Sequence, residues 1–218
     1  MLTPQTRTIE ILRGRYDPGT DTGYMGYIPA SDFITGAELI DLLDFRDGVD
    51  QNSDAGWLKF YVGTRAACNS TPGTAKCIFI AKQSLKNNIS WDQINNARLV
   101  YGTTQRTVSI NGRSYRVRLL TGGEASPGTG SEWNELLYRV HAEQPESKSN
   151  WETFDTNETN ITSGNGRYVW CQETPSSKPT EHVYRGYYGV APWHTIASSY
   201  STTNIGWRPV LEQVIRVS

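Results

Sequence analysis

The sequence lacks most of the signals that announce a chemistry. Its three histidines, His141, His182 and His194, are scattered and show no paired His or Cys/His spacing of a zinc site. No G-x-S-x-G elbow occurs. The glycines at Gly122-Gly123 and at Gly164 and Gly166 fit neither a P-loop nor a dinucleotide fingerprint, so they read as turns. Carboxylates are plentiful, but none pair in a pattern that suits acid–base work. The expectation is a protein that is not an enzyme, with no catalytic residue, no metal and no cofactor.

A dominant charge is missing as well. Lys and Arg number 21 against 22 Asp and Glu, for a net charge of -1, and no basic stripe runs along the chain. Nucleic-acid binding therefore has no electrostatic support. No stretch approaches the roughly 18 consecutive apolar residues of a membrane span, so no membrane insertion is expected. Residues Met1 to Gln5 show no charged segment followed by an apolar run, and no secretory signal is read there.

Cysteine is scarce and odd in number: Cys68, Cys77 and Cys171. An odd count argues against a disulfide framework. Cys68 and Cys77 flank the turn-rich stretch from Asn69 to Thr74, so a bridge across a hairpin and a pair of reduced thiols both remain open. The N-x-S/T patterns at Asn69, Asn88, Asn157 and Asn160 read as chance matches in a Ser/Thr-rich chain.

What the chain does hold is glycine and aromatic rings with polar tips. There are 20 Gly, 12 Tyr and 7 Trp against 5 Phe and 2 Met. Such rings suit half-buried positions and contact surfaces. They also serve to fill a loop-rich core.

Local signals then set out the elements. Residues 1 to 30 are rich in Gly, Pro and Tyr without a period and read as an extended docking arm. Thr35 and Glu38 have capping-box spacing and open a helix over about 36–46, with Leu39, Leu42 and Leu43 at helical intervals. Strands are predicted over 57–62 and 76–81. Ser90 and Gln93 form a second capping box, for a helix reaching about Ala97. Val108 and Ile110 alternate with polar residues, Asn111-Gly112 supplies a type I′ turn, and Tyr115, Val117 and Leu119 alternate back. Ser131 caps a predicted helix carrying Trp133, Leu136, Leu137 and Val140. From about 145 to 205 regular structure nearly vanishes, leaving a long loop region held by Trp and Tyr. Pro209 marks a strand end.

Two sets of residues carry a resemblance. Arg185-Gly186-Tyr187-Tyr188-Gly189 with the later Gly206-Trp207-Arg208-Pro209-Val210-Leu211 resembles the C-terminal signature of the formylglycine-generating type of C-type-lectin-like fold. Trp193 and Ser198-Ser199 occupy the loop between, Tyr187 stands where that family has a second Gly, and Trp207 where it has Phe. Ile89-Ser90-Trp91-Asp92, Tyr115 to Gly123, Glu132-Trp133-Asn134 and Trp170-Cys171-Gln172-Glu173, taken with the Gly206–Leu211 segment, are similar to phage and prophage virion proteins of the tail-fibre-like kind, over roughly 55–212.

The resemblance implies an α+β, C-type-lectin-like fold with two or three short helices, small mixed or antiparallel sheets and a long irregular loop region. It implies an N-terminal arm and helix over 1–54 and a lectin-like domain over 55–218. It also implies a bacteriophage virion protein, made in the host cytoplasm, that acts as the binding module of a tail fibre or tail tip. A capsid decoration, collar or fibre-attachment protein is the alternative. The formylglycine-generating oxidase is a remote one, because its chemistry needs a C-terminal cysteine pair and only Cys171 lies in that half. Gln144-Pro145-Glu146 and Trp133-Asn134-Glu135 imitate the calcium motifs of sugar-binding lectins in reversed order, so no calcium site is read from them.

The candidate ligand-binding residues are Trp151, Tyr168, Tyr187, Tyr188, His194, Tyr200 and Asn204. Trp170, Arg185, Gly186, Trp193, Gly206, Trp207 and Arg208 are assigned to scaffolding, with the three tryptophans in the core and both guanidinium groups satisfying loop carbonyls. Expected partners are other virion proteins through residues 1–30, a host-surface glycan or protein, and further copies of the chain in a homo-oligomer.

Overall fold

A computed structural model describes residues 16–69, 73–102, 106–124, 130–142 and 151–215. They form an α+β domain with two sheets. The strands in chain order are β1 (Tyr16–Asp17), β2 (Thr22–Ile28), β3 (Val49–Asp50), β4 (Trp57–Val62), β5 (Ala75–Ala81), β6 (Lys86–Asn87), β7 (Thr107–Ile110), β8 (Arg113–Arg118), β9 (Tyr168–Trp170), β10 (Glu181–Arg185), β11 (Trp193–Ala197), β12 (Ile205–Trp207) and β13 (Val210–Ile215). The larger sheet is antiparallel, in the order β1-β2-β4-β5-β13-β8-β7. The smaller runs β11-β10-β9-β12-β6-β3, with β9 and β12 parallel.

The larger sheet is covered on both faces, and the strand sequences show it. In β5, Cys77, Phe79 and Ala81 enter one core cluster while Ile78 and Ile80 enter the other. A central strand with two covered faces reads as a continuous apolar run, and β5 is buried along its whole length. The first cluster takes Leu39, Ile40 and Leu43 from helix α1 (Gly36–Leu43) and Ile94 from α2 (Trp91–Asn96), together with Trp170 and Trp207. The second takes Trp133, Leu136, Leu137, Val140 and Trp151.

Both capping boxes close as their spacing predicts. Thr35 accepts from the Glu38 amide at 3.1 Å while Glu38 accepts from the Thr35 amide at 2.9 Å. Ser90 and Gln93 repeat the exchange at 3.2 and 2.9 Å. Each cap is worth about 1 kcal/mol. The hairpin turn is also as read: Asn111 and Gly112 have φ of +50° and +74°, and Val108 pairs with Tyr115.

Three expectations give way. Residues 16–28, read as part of an arm, instead form β1 and β2, and β2 pairs with β4 along its length. Its glycines Gly23 and Gly26 and a bulge between Tyr24 and Gly26 break the alternation that would have revealed a strand. Residues 1–15 of that arm lie outside the described residues. The segment after Ser131 is not a regular α-helix. It is a π-helical turn, Trp133–Leu137, followed by a 3-10 turn, Tyr138–Val140. Its polar residues are buried and tied outward rather than solvated: Glu135 accepts from the amides of Cys68 and Gly130, and Arg139 reaches Asp17 at 2.6 Å. Finally, the stretch 145–205 holds β9, β10 and β11 and a short capped helix, α3 (Thr156–Thr159). These elements are three to five residues long, too short to show a period of their own.

All three cysteines are reduced and buried, which settles the alternatives for Cys68 and Cys77. No described helix is long and apolar enough to cross a membrane.

Candidate functional site

The tyrosines expected at the surface meet at one end of the smaller sheet. β10 and β11 form a hairpin in which Tyr184 stands directly across from His194, their rings 5.7 Å apart and stacked at 28°. β9 lies on the other side of β10, and Tyr168 packs edge-on against Tyr187 at 4.9 Å. The Asn204 carbonyl accepts from the Tyr168 amide at 2.8 Å, so Asn204 fixes the backbone beneath the cluster. Arg167 lies over the Tyr168 ring at 5.0 Å, a cation–π contact that extends the patch at its edge.

The loop after β10 turns back through Gly186-Tyr187-Tyr188-Gly189. Gly186 has φ of +93°, and a Cβ there would collide with the Arg167 carbonyl. Tyr188 also sits in the left-handed region, at φ +59°, where a bulky side chain is uncommon. Its ring is 80% exposed, the most exposed large side chain among the described apolar and aromatic residues. Tyr187 donates to the Tyr188 hydroxyl at 2.6 Å, and their centroids lie 3.7 Å apart. That hydrogen bond raises the Tyr187 phenol above its ordinary range. Burial, with the surrounding phenols, pushes Tyr184 up to about 12. The hydroxyls of Tyr184 and Tyr187 are therefore neutral donors and acceptors at physiological pH.

His194 bridges the rings. It lies 5.1 Å from Tyr187 and 6.2 Å from Tyr188, and its Nε2 is buried without a hydrogen-bond partner. Tyr200 is 40% exposed and close enough to act electrostatically on Tyr184 and Tyr187. The site is thus a mostly neutral aromatic surface with hydroxyl tips and one cation at its margin.

Trp151 is not part of it. The indole is buried in the second core cluster, against Tyr24 at 6.0 Å and Phe60 at 6.1 Å, with Arg139 over its face at 4.7 Å. Trp193 departs the other way. Assigned to the core, it is half-exposed on β11, the outer strand of its sheet. Trp170 and Trp207 are fully buried. Two members of the cluster escaped the sequence reading, Tyr184 and Arg167. The signal for Tyr184 was available: Val183 and Tyr184 lie in a short run of strand-forming residues that ends at a glycine.

The scaffold behind the cluster is made by Arg185 and Arg208. Arg185 donates to the carbonyls of Gly122 and Ala191 and to Asn134 Oδ1. Arg208 donates to the carbonyls of Lys82 and Thr159. Gly206 pairs with Asn87 on one side and Val169 on the other, and a Cβ would lie 2.6 Å from the Lys86 carbonyl.

No nucleophile adjoins a base in this cluster. Cys171 lies buried behind it, where burial first, and then the nearby Glu173, raise its thiol well above the ordinary value. No three His, Cys, Asp or Glu side chains among the described residues are grouped to hold a metal ion. A scan of protein-family models finds no match to this chain, and searches of curated proteins and of solved structures find none either.

Proposed function

We propose that this chain is a bacteriophage virion protein, a binding module of a tail fibre or tail tip on a C-type-lectin-like fold, and that Tyr168, Tyr187, Tyr188, His194 and Tyr200 form its contact surface for the host. The observation that carries the binding surface is Tyr188: a large ring held in a strained backbone conformation and presented to solvent. Left-handed backbone costs an L-residue roughly 1–2 kcal/mol, and such strain clusters at ligand contacts. A tyrosine surface gives large contact area at small entropic cost. The resemblance of the Gly206–Leu211 segment and its companions to phage virion proteins supports the particle. The two sheets and the short helices support an α+β fold of this kind.

Attachment to other virion proteins belongs in this reading to residues 1–30, of which Tyr16–Asp17 form β1, the outer strand of the larger sheet. A homo-oligomer on the particle completes this reading.

Cryo-electron microscopy of the particle tests it, together with host adsorption by the double variant Tyr187→Ala/Tyr188→Ala. Density at the tail tip and at least tenfold weaker adsorption by normally assembled particles are expected. Density on the capsid or neck would make the chain a decoration, collar or attachment protein. Unchanged adsorption would remove the tyrosine surface from the reading, and absence from the particle would overturn it altogether.

A further inference from the structure

β11 ends the smaller sheet, and the direction of its main-chain groups follows from β10. The Val183 amide donates to the Glu173 carbonyl at 2.9 Å, and the Val183 carbonyl accepts from the Cys171 amide at 2.9 Å. Both main-chain groups of Val183 therefore face away from β11. Residues directly opposite in an antiparallel pair exchange both bonds or neither. Thr195, opposite Val183, thus points its amide and carbonyl out from the sheet, and by alternation so do Trp193 and Ala197. The Ser198 amide, one position further on, donates back to the Thr180 carbonyl at 3.1 Å, as the alternation requires. The Thr195 amide and carbonyl and the Ala197 amide bond to no described residue.

Two features bound this open edge. Pro192, at one end, has no amide. Ala197, at the other, already gives its carbonyl to the Tyr200 amide at 3.0 Å. Between them lie five residues centred on Thr195. β11 is the longest strand at a described sheet edge, since β1 and β3 have two residues and β7 has four. Neither a proline nor a bulge interrupts it. Trp193 and Ile196 are half-exposed and Ala197 is exposed. Open edges are commonly guarded by a lysine that projects from them. Lys178 does not project here: its Nζ pairs with Glu181 at 2.9 Å and donates to the Thr195 hydroxyl at 3.0 Å. The pair presents no net charge to a strand laid alongside.

These limits select the occupant. A window centred on one residue overlaps itself fully when a second copy lies antiparallel with Thr195 at the two-fold axis. Each Thr195 amide then reaches the other's carbonyl. Trp193 of one copy stands beside Ala197 of the other, so the largest side chain of the strand meets the smallest, and His194 stands beside Ile196. We propose that β11 is the contact between two copies of this chain, joined antiparallel about Thr195 so that the two smaller sheets become one. His194 belongs to both this strand and the tyrosine surface, so the dimer presents two such surfaces on one face of a continuous sheet. The interface rests on the preceding reading only for its place on the particle, and the purified chain tests it alone.

Sedimentation of the full chain over a dilution series should show a monomer–dimer equilibrium. Thr195→Pro removes the outward amide and leaves the bonds to β10 in place, so it should weaken the dimer at least tenfold. Thr195→Ser, which keeps the amide and the hydroxyl, should not. Thr195→Cys puts two thiols at the axis. Facing residues that exchange both bonds have Cα atoms about 5.5 Å apart, within the roughly 4.4–6.8 Å of a disulfide. An added oxidant should therefore link two copies of that variant and leave the parent chain, whose cysteines are buried, unlinked. Melting temperatures establish folding, and Thr195→Cys decides alone if Thr195→Pro does not fold. A chain that stays monomeric at every concentration, a dimer that Thr195→Pro leaves as tight, or a Thr195→Cys chain that does not cross-link would overturn the proposal. So would loss of the dimer in Tyr187→Ala/Tyr188→Ala, which would move the contact to the tyrosine surface. Unchanged host adsorption by that double variant would remove the receptor surface and leave a dimer that Thr195→Pro disrupts as support for this interface.

Discussion

Arg185 grips the carbonyl of Gly122 through both its Nε and a terminal nitrogen, joining β10 to the loop after β8 across 63 positions of sequence. The same guanidinium holds Ala191 at the far end of the tyrosine loop and Asn134 in the π-helical turn. One buried cation therefore sets three segments behind the proposed contact surface. Arg185→Met keeps the length and removes the donors. Each buried acceptor left open costs about 1–3 kcal/mol, so a total loss of at least about 3 kcal/mol is expected. For a chain of this size each kcal/mol moves the melting temperature by roughly 2–4 °C. A drop smaller than a few degrees in differential scanning fluorimetry would show that the grip is unimportant.

A second buried network ties β13 to its neighbours β8 and β5. Arg118 donates to Glu132 at 2.7 Å and to Glu212 at 2.9 Å, and Lys76 reaches Glu212 at 3.3 Å. Burial works against ionised Glu212, but Arg118 and Lys76 outweigh it and hold its carboxyl below the usual range. Removing one partner of such a group leaves a charge uncompensated. Glu132→Ala should cost about 3–5 kcal/mol, read as a shift of the urea midpoint. The paired change Arg118→Met/Glu132→Leu should cost less than the sum of its single variants, since neither leaves the other's charge stranded.

Stability should also fall on mild acidification, through His182. Its ring stacks on Trp91 at 3.5 Å and its Nδ1 is 2.9 Å from the Thr174 hydroxyl. Burial lowers its pKa, and Asp92 counteracts this only in part. The unfolded chain then takes up the proton first, at about 6.5. The stabilisation is fully present above that pH and is lost as the pH drops through the lower folded value. Glu212 adds a further loss at pH values below the unfolded carboxylate's, about 4.3, again because its folded pKa is depressed. Glu173, which burial raises, works in the opposite direction. Melting curves between pH 7.5 and 5 should slope downward, and His182→Gln should flatten them. An equal slope in that variant would remove His182 from the account.

The features that the sequence disclosed are those whose cause lies within a few residues. Thr35 with Glu38, Ser90 with Gln93, and Asn111-Gly112 each close a local bond or turn, and each is found where its spacing put it. Asp155 and Glu158 make a third box of the same kind, and the acidic cap in a polar stretch hid it. β9 to β12 could not be seen in this way, because a three-residue strand such as Tyr168–Trp170 gains its identity from its pairing with β10 and β12. The fate of the tryptophans was equally hidden. Trp151 and Trp193 are alike as residues, and only the wall of Tyr24, Phe60 and Arg139 around the first decides which is buried. The tyrosine cluster was half legible: Tyr187 and Tyr188 are neighbours in sequence, but Tyr168, Tyr184 and His194 join them only through strand pairing.

The strain at Tyr188 separates a contact residue from a structural one. Glycine takes φ near +59° without the Cβ penalty of roughly 1–2 kcal/mol, though it gives back about 0.5–1 kcal/mol in chain entropy. The exposed ring stabilises little by burial, since its main contacts are with Tyr187 and the edge of His194. Tyr188→Gly should therefore leave the fold unharmed or stabilise it by up to about 1 kcal/mol. The same variant should bind host cells at least tenfold more weakly. A residue kept for packing would behave in the reverse manner, with lower stability and unchanged binding. Urea denaturation of the purified chain and adsorption by particles carrying the variant give the two numbers, and a clear loss of stability would identify Tyr188 as part of the scaffold.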